Sequence, residues 1–275
     1  MPSNDQVTDE GTRTNGEPDW FFLISGGKDS VVAAHVALPA LQQNYPKTPV
    51  VVYLDTTVGL DAQRLYVERF CDEYGLQLWT LRTHENFEEI AQEDGLPGPA
   101  RHTRIQNALK GRQRQKLSTV SGDAHFITGI RREESPARES TPRAHYDKGT
   151  RAWYYSPILN WTEADLEEYI AEHDIPRNPL WDEPHPTDCW CGAHGSPEEL
   201  IEGEANGFEW FTKRIREIEE SVDKIDRTAT WGWGGLNPKE RRAEDAKNDD
   251  DQLSLCGPSC AAYEQARPDG GEPNE

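Results

Sequence analysis

Three groups of residues in this chain have types and spacings that could carry chemistry. The first, Ser25-Gly26-Gly27-Lys28-Asp29-Ser30, lies between an apolar run (Trp20 to Ile24) and a helix-compatible stretch (Val31 to Val36). Adjacent glycines let a backbone turn tightly and approach a ligand closely. The amides opening the following helix, with its dipole behind them, make an anion site. Lys28 adds a point charge, and Ser25 and Ser30 add hydroxyls. The spacing is not that of a Walker A loop. The second group is Arg131, Arg132, Arg138 and Arg143, a concentration of cations in a chain of net charge −21. Guanidinium forks suit phosphate and sulfate oxygens, although Glu133 and Glu134 beside them also fit a solvated charged loop. The third group is cysteine, in two close pairs: Cys189 with Cys191, and Cys256 with Cys260. Four thiolates suit an iron–sulfur cluster or tetrahedral zinc, and a redox-active dithiol is the other reading.

These groups have to be positioned by regular elements. Continuous apolar runs at Trp20–Ile24 and Pro49–Leu54, with shorter ones at Leu76–Leu81, His125–Ile130 and Trp153–Ile158, read as strands. Helical patterns separate them, including a basic one from Arg101 to Leu117 that carries Arg104, Lys110, Arg112, Arg114 and Lys116. It lines a substrate cleft or is a solvated face. This alternation predicts an α/β fold with a doubly wound parallel sheet, in which ligands sit at the carboxyl ends of the strands. Asp55 closes the second run, where a carboxylate binds ribose hydroxyls or Mg²⁺, or caps the next turn. After about Pro176, Pro, His, Trp and Cys cluster, and an amphipathic helix runs from Phe208 to about Lys224. The expected organisation is a disordered acidic tail over 1–18, a nucleotide-binding domain over 19–180, and a Cys-containing, mainly helical extension over 181–275 with a disordered end. Trp231-Gly232-Trp233 reads as a packed turn in preference to a base-stacking platform.

Composition narrows the function. The 275 residues carry 50 Asp and Glu against 29 Lys and Arg, so broad nucleic-acid binding by the whole surface is disfavoured. Arginine outnumbers lysine 20 to 9, which fits a protein kept soluble at high salt. With no long apolar segment and a polar start, the expectation is a cytoplasmic protein without a membrane span.

Ser25 to Ser30 resembles the PP-loop of the ATP pyrophosphatases and of the phosphoadenosine phosphosulfate (PAPS) reductase superfamily. Three further stretches are similar to the latter: Tyr53-Leu54-Asp55-Thr56, the run Thr128 to Ser135 with Arg138, and Ser156 to Glu163 with Asp165. The resemblance implies a Rossmann-like fold of the adenine nucleotide alpha-hydrolase type, with ATP or PAPS held by Ser25, Gly26, Gly27, Lys28, Asp29, Ser30, Asp55, Gly129, Arg131, Arg132 and Arg138. Cys191-Gly192-Ala193-His194 resembles the segment bearing the catalytic cysteine of thiol-dependent PAPS reductases. Where iron–sulfur members carry a cysteine, this chain has Arg101-His102-Thr103-Arg104. The resemblance tilts any metal at Cys189, Cys191, Cys256 and Cys260 towards iron–sulfur over zinc. The intact loop favours ATP cleavage between the α- and β-phosphates, with Mg²⁺ bridging, Lys28 and Arg131 as catalytic cations and a sulfur donor. A DNA or tRNA acceptor, and a homo-oligomer or complex subunit, belong to that expectation. The alternatives are a reductase in which Cys191 attacks PAPS and a thiol reductant releases sulfite, and a non-catalytic nucleotide-binding subunit.

Overall fold

The apolar runs become the inner strands of one sheet because each must bury side chains on both faces. The computed structural model describes residues 19–98, 102–135, 138–182, 189–193, 197–222 and 227–233; the proposed 1–18 tail and the pair Cys256 and Cys260 lie outside them. In chain order the elements are β1 (Asp19–Leu23), α1 (Lys28–Asn44), β2 (Val50–Asp55), α2 (Asp61–Tyr74), β3 (Gln77–Arg82), α3 (Phe87–Asp94), α4 (His102–Gln106), a π turn (Asn107–Gly111) and α5 (Arg112–Ser121). There follow β4 (Ala124–Ile127), β5 (Ala144–Asp147), β6 (Ala152–Tyr155), α6 (Glu163–Glu172), α7 (Pro197–Ala205) and α8 (Glu209–Ser221).

The six strands run in the order β3-β2-β1-β4-β6-β5. All neighbours are parallel except β5, which pairs antiparallel with β6 at the edge, His145 opposite Tyr154. The doubly wound α/β expectation therefore holds, with one strand added by a hairpin. β1 lies between β2 and β4, so the chain leaves it in opposite directions and opens a crevice at its carboxyl end. The loop after β1 and the loop after β4 meet there.

Alternate residues of the strands other than β5 feed two cores. Phe22 and Ile24, with Val51, Tyr53 and Ile127, pack under α1, α2 and α6. Phe21, Val52, Phe126 and Tyr154 point the other way, towards Leu117 of α5. Each such large side chain contributes about 1.5–3 kcal/mol by leaving water. A third cluster joins Val58, Leu60, Phe87 and Leu180 to Trp190, Ile215, Ile218 and Trp231. The segment beyond residue 180 thus shares a core with the loop after β2. Trp231 is buried and its indole N–H donates to the Trp190 carbonyl at 2.8 Å, so its side chain is packed.

Candidate active site

The turn after β1 is shaped by its neighbours. Gly26 has φ +90°, and a Cβ there would come within 2.2 Å of the Gln63 side-chain oxygen. The Gly26 carbonyl accepts from Asn178 Nδ2 at 3.0 Å and from the Trp181 indole at 2.8 Å. Asn178 also donates to Gln63 at 2.6 Å, tying the turn to α2 and to the Pro179–Asp182 segment. Ser30 Oγ donates to the Gly27 carbonyl at 2.8 Å and accepts from the Ser25 amide at 3.2 Å. The serines therefore brace the loop. No side chain caps α1 at Gly27, so its first-turn amides keep the open donors of a helix start.

The loop after β4 locks against this helix start. A Cβ on Gly129 would lie 2.5 Å from the backbone of Asp29 and Ser30, so the two loops approach as closely as glycine permits. Arg131 is buried, and its three guanidinium nitrogens are all engaged. Nε donates to Asp29, one terminal nitrogen to Glu133 at 2.8 Å and the other to Glu163 at 2.9 Å. Glu133 in turn accepts from the Glu163 amide at 2.6 Å. Burial raises the Asp29 carboxyl above its ordinary value, and the Arg131 guanidinium works against that shift.

Lys28 opens α1 at the end of the loop after β1. Its ammonium is held by Glu163 and Glu167 of α6. Burial opposes the charge, and the two carboxylates outweigh it, so the ammonium titrates above the ordinary lysine value. Arg131 and Lys28 are thus the inner cations of a carboxylate network that joins α1 to α6. Long-range pairing of this kind has no signal in a motif.

Arg132 reaches Asn160 at 2.7 Å and the Thr141 carbonyl at 2.8 Å, bracing the loop from outside. Arg138 pairs with Glu134, and burial with the nearby Arg131 charge lowers its titration despite the attraction of Asp29. Arg138 thus lies near Asp29 while bonded to Glu134. The Asp55 carboxylate accepts the Thr57 amide at 2.8 Å and lies 3.7 Å from Arg82. It fixes the turn at Thr57, whose φ is +63°. Of the two uses expected for Asp55, capping is the one the geometry displays.

Cys189 and Cys191 sit at the same edge of the sheet. The Trp190 amide donates to the Val58 carbonyl at 3.1 Å, pinning the Cys-Trp-Cys segment to the loop after β2. Cys191, Thr56 and Lys110 surround the Cys189 sulfur and favour its charged form. The Cys191 thiol is the principal reason that Cys189 titrates below an ordinary thiol; burial acts the other way. Cys191 is correspondingly raised, by Cys189 beside it and by burial. Lys110 lies on the π turn, a local widening that interrupts the helix expected over 101–117. Its position beside the sulfurs was not anticipated beyond its membership of a basic helix. Arg104 and Arg112 of the same region pair with Asp94 at 2.7 Å and Glu85 at 3.3 Å. Cys71, in contrast, is core, and burial pushes its thiol up to about 12.

Residues 19–187 match the family model for the phosphoadenosine phosphosulfate reductase domain. The chain belongs to the PAPS reductase family. It is 29% identical over 193 residues to an adenosine 5'-phosphosulfate reductase of Streptomyces coelicolor, covering 66% of this chain and 74% of that protein. It is 30% identical over 156 residues to a phosphoadenosine 5'-phosphosulfate reductase of Alkalilimnicola ehrlichii, covering 54% of this chain and 61% of that one. Among solved structures, a PAPS reductase from Candida auris in a phosphate complex superposes with a TM-score of 0.46 at 19% identity, over 64% of this chain and 83% of that one. The family membership makes this chain an enzyme of the phosphoadenylyl-sulfate reductase-like type, nucleotide-binding and belonging to sulfur metabolism. No helix among the described residues is long and apolar enough to cross a membrane.

Proposed function

We propose that this PAPS reductase family member is a thiol-dependent sulfonucleotide reductase, acting on adenosine 5'-phosphosulfate or its 3'-phosphorylated form. The observation that carries the reading is the docking of Cys189 and Cys191 on the loop after β2, at the strand edge that also presents the uncapped start of α1. The first-turn amides bind the 5'-phosphate, and Arg138 supplies a cation for the sulfate. The Cys191 thiol attacks sulfur while its proton passes to the neighbouring Cys189 sulfur. The sulfur–oxygen bond to phosphate breaks, and the nucleoside phosphate leaves. Cys191 then carries a sulfonate, and a thiol reductant regenerates the enzyme with release of sulfite. Both named relatives are reductases of this substrate class, which supports the reading.

The adenylating reading retains one support, the intact Ser25 to Ser30 loop. The cations it would use on pyrophosphate, Lys28 and Arg131, are paired with carboxylates, as Arg138 is with Glu134, so ion pairing does not separate the two readings. Among the described residues no group of three or more His, Cys, Asp or Glu is assembled, and Cys189 and Cys191 are two of the four thiolates that a cluster or structural zinc would need. Cys256 and Cys260 lie outside the described residues, and no step here passes through a metal or Mg²⁺.

Product analysis decides between the two chemistries. Incubation with each sulfonucleotide and a thiol reductant should yield sulfite, and incubation with ATP and sulfide should yield no pyrophosphate. Pyrophosphate without sulfite would replace the reductase with the adenylating enzyme.

A further inference from the structure

The bend that opens α1 contains a peptide unit that the local sequence leaves free to turn. Gly26 and Gly27 flank it, and neither has a Cβ to oppose rotation of the plane between them. The peptide is trans, so its carbonyl and its N–H point in opposite directions. One orientation offers an amide to an anion, and the other offers a carbonyl oxygen that repels it. The Gly27 carbonyl has no such choice. It accepts the Val31 amide at 3.3 Å and the Ser30 hydroxyl at 2.8 Å, and so belongs to the helix.

The donors that fix the plane lie 152 and 155 residues further along the chain. The Gly26 carbonyl accepts from Asn178 Nδ2 at 3.0 Å and from the Trp181 indole at 2.8 Å. The Gly27 N–H is thereby turned to the inside of the bend, where it donates to Ser25 Oγ at 3.3 Å. That bond is long, and an anion oxygen can replace it. Asn178 is fully buried and has no rotational freedom to spare. Its Nδ2 also donates to Gln63 at 2.6 Å, and its oxygen accepts the Leu180 amide at 3.1 Å. The Trp181 ring packs edge-on against Tyr66, with centroids 5.5 Å apart, which holds its N–H in place.

We propose that Asn178, assisted by Trp181, is a positioning residue for phosphate recognition: the two hold the Gly26–Gly27 peptide with its N–H, and not its carbonyl, toward the bound anion. The proposal rests on the reading of this loop as the 5'-phosphate site. Both side chains act through the orientation of the peptide and not by contact with the nucleotide. Without them the peptide is free to turn its carbonyl inward, and the site loses an amide and gains a repulsive dipole. A second tie reinforces the first. Arg177 pairs with Glu167 at 2.7 Å, and Glu167 holds Lys28, so the same short segment grips both the bend and the helix start after it.

The test uses the full-length chain, with adenosine 5'-monophosphate titrated calorimetrically into the wild type, Trp181→Phe and Asn178→Leu, and adenosine measured by competition. Trp181→Phe keeps an aromatic ring against Tyr66 and deletes the N–H. Asn178→Leu keeps the volume and deletes the amide. Each variant should bind the monophosphate about two- to tenfold more weakly, the range of one hydrogen bond, and bind adenosine as the wild type does. In protein labelled with 15N-glycine, the monophosphate should shift the Gly27 amide resonance of the wild type and shift it less in the variants, which loss of packing alone would not produce. Variants that keep the wild-type affinity for the monophosphate, or that lose affinity for both ligands alike, overturn the positioning role and leave the phosphate site standing. A wild type that binds the monophosphate no more tightly than adenosine overturns the phosphate site as well. Sulfite formation by the wild type reports on the reductase reading separately. Trp181→Phe decides the matter even if Asn178→Leu does not fold.

Discussion

Arg131 and Asp29 are bonded Nε to Oδ1 across the crevice between the loop after β4 and the start of α1. The pair sits in a row that continues through Glu163 to Lys28, so the end of the nucleotide loop is tied to α6 by alternating charges. Removing the central cation leaves three carboxylates facing one another. Arg131→Met should therefore destabilise the protein by roughly 1–3 kcal/mol, below the 3–5 kcal/mol of a fully buried pair because Glu133 and Glu163 are half exposed. Urea denaturation measures this, and the loss should shrink as salt is raised.

Gly129 is the contact point between the two loops, and nothing larger fits without moving the amides of Asp29 and Ser30. Gly129→Ala should cost about 1–3 kcal/mol by overpacking and should weaken binding of adenosine 5'-monophosphate more than it lowers stability. Calorimetric titration beside a melting curve separates the two effects.

Much of this site could be read in the sequence, because its parts are local. A strand running into Ser25-Gly26-Gly27 and then a helix is a contiguous pattern, and so is Thr162 with Asp165 capping α6. β5 escaped notice because Ala144–Asp147 is an edge strand with alternate residues exposed, and it presents no apolar run. The reading of Arg101 to Leu117 as one regular helix missed the π turn, since widening by one residue leaves composition unchanged. The commitment of Lys28 and Arg131 to Glu163 was invisible for another reason. Any charged residue can find an opposite partner, and only the packing of α6 beside α1 selects which.

Cys191 beside it, with Lys110 and Thr56, brings the Cys189 thiol below the ordinary thiol range. A thiolate is the reactive form, and its fraction rises with pH through the group's pKa. Iodoacetamide should therefore label Cys189 at a pH below that needed for an ordinary thiol. Lys110→Met removes a neighbouring positive charge and should move the midpoint of that profile to higher pH.

Trp231 closes the cluster beneath the cysteine segment, with its amide bonded to Glu219 at 2.7 Å and its indole to Trp190. Trp231→Ala should destabilise by about 3–5 kcal/mol as a large buried side chain is lost. It should also loosen the Cys-Trp-Cys segment, seen as faster amide exchange at Trp190. Trp231→Phe should keep most of the stability and lose the bond to the Trp190 carbonyl.

The sulfur of Cys191 carries the whole account, and its loss is the most direct test. Sulfite formation from each sulfonucleotide, measured with excess thiol reductant, should vanish in Cys191→Ser and persist in Cys71→Ser, whose thiol is buried in the core. Sulfite produced by Cys191→Ser at the wild-type rate would place the chemistry elsewhere in the chain and contradict the proposed reaction.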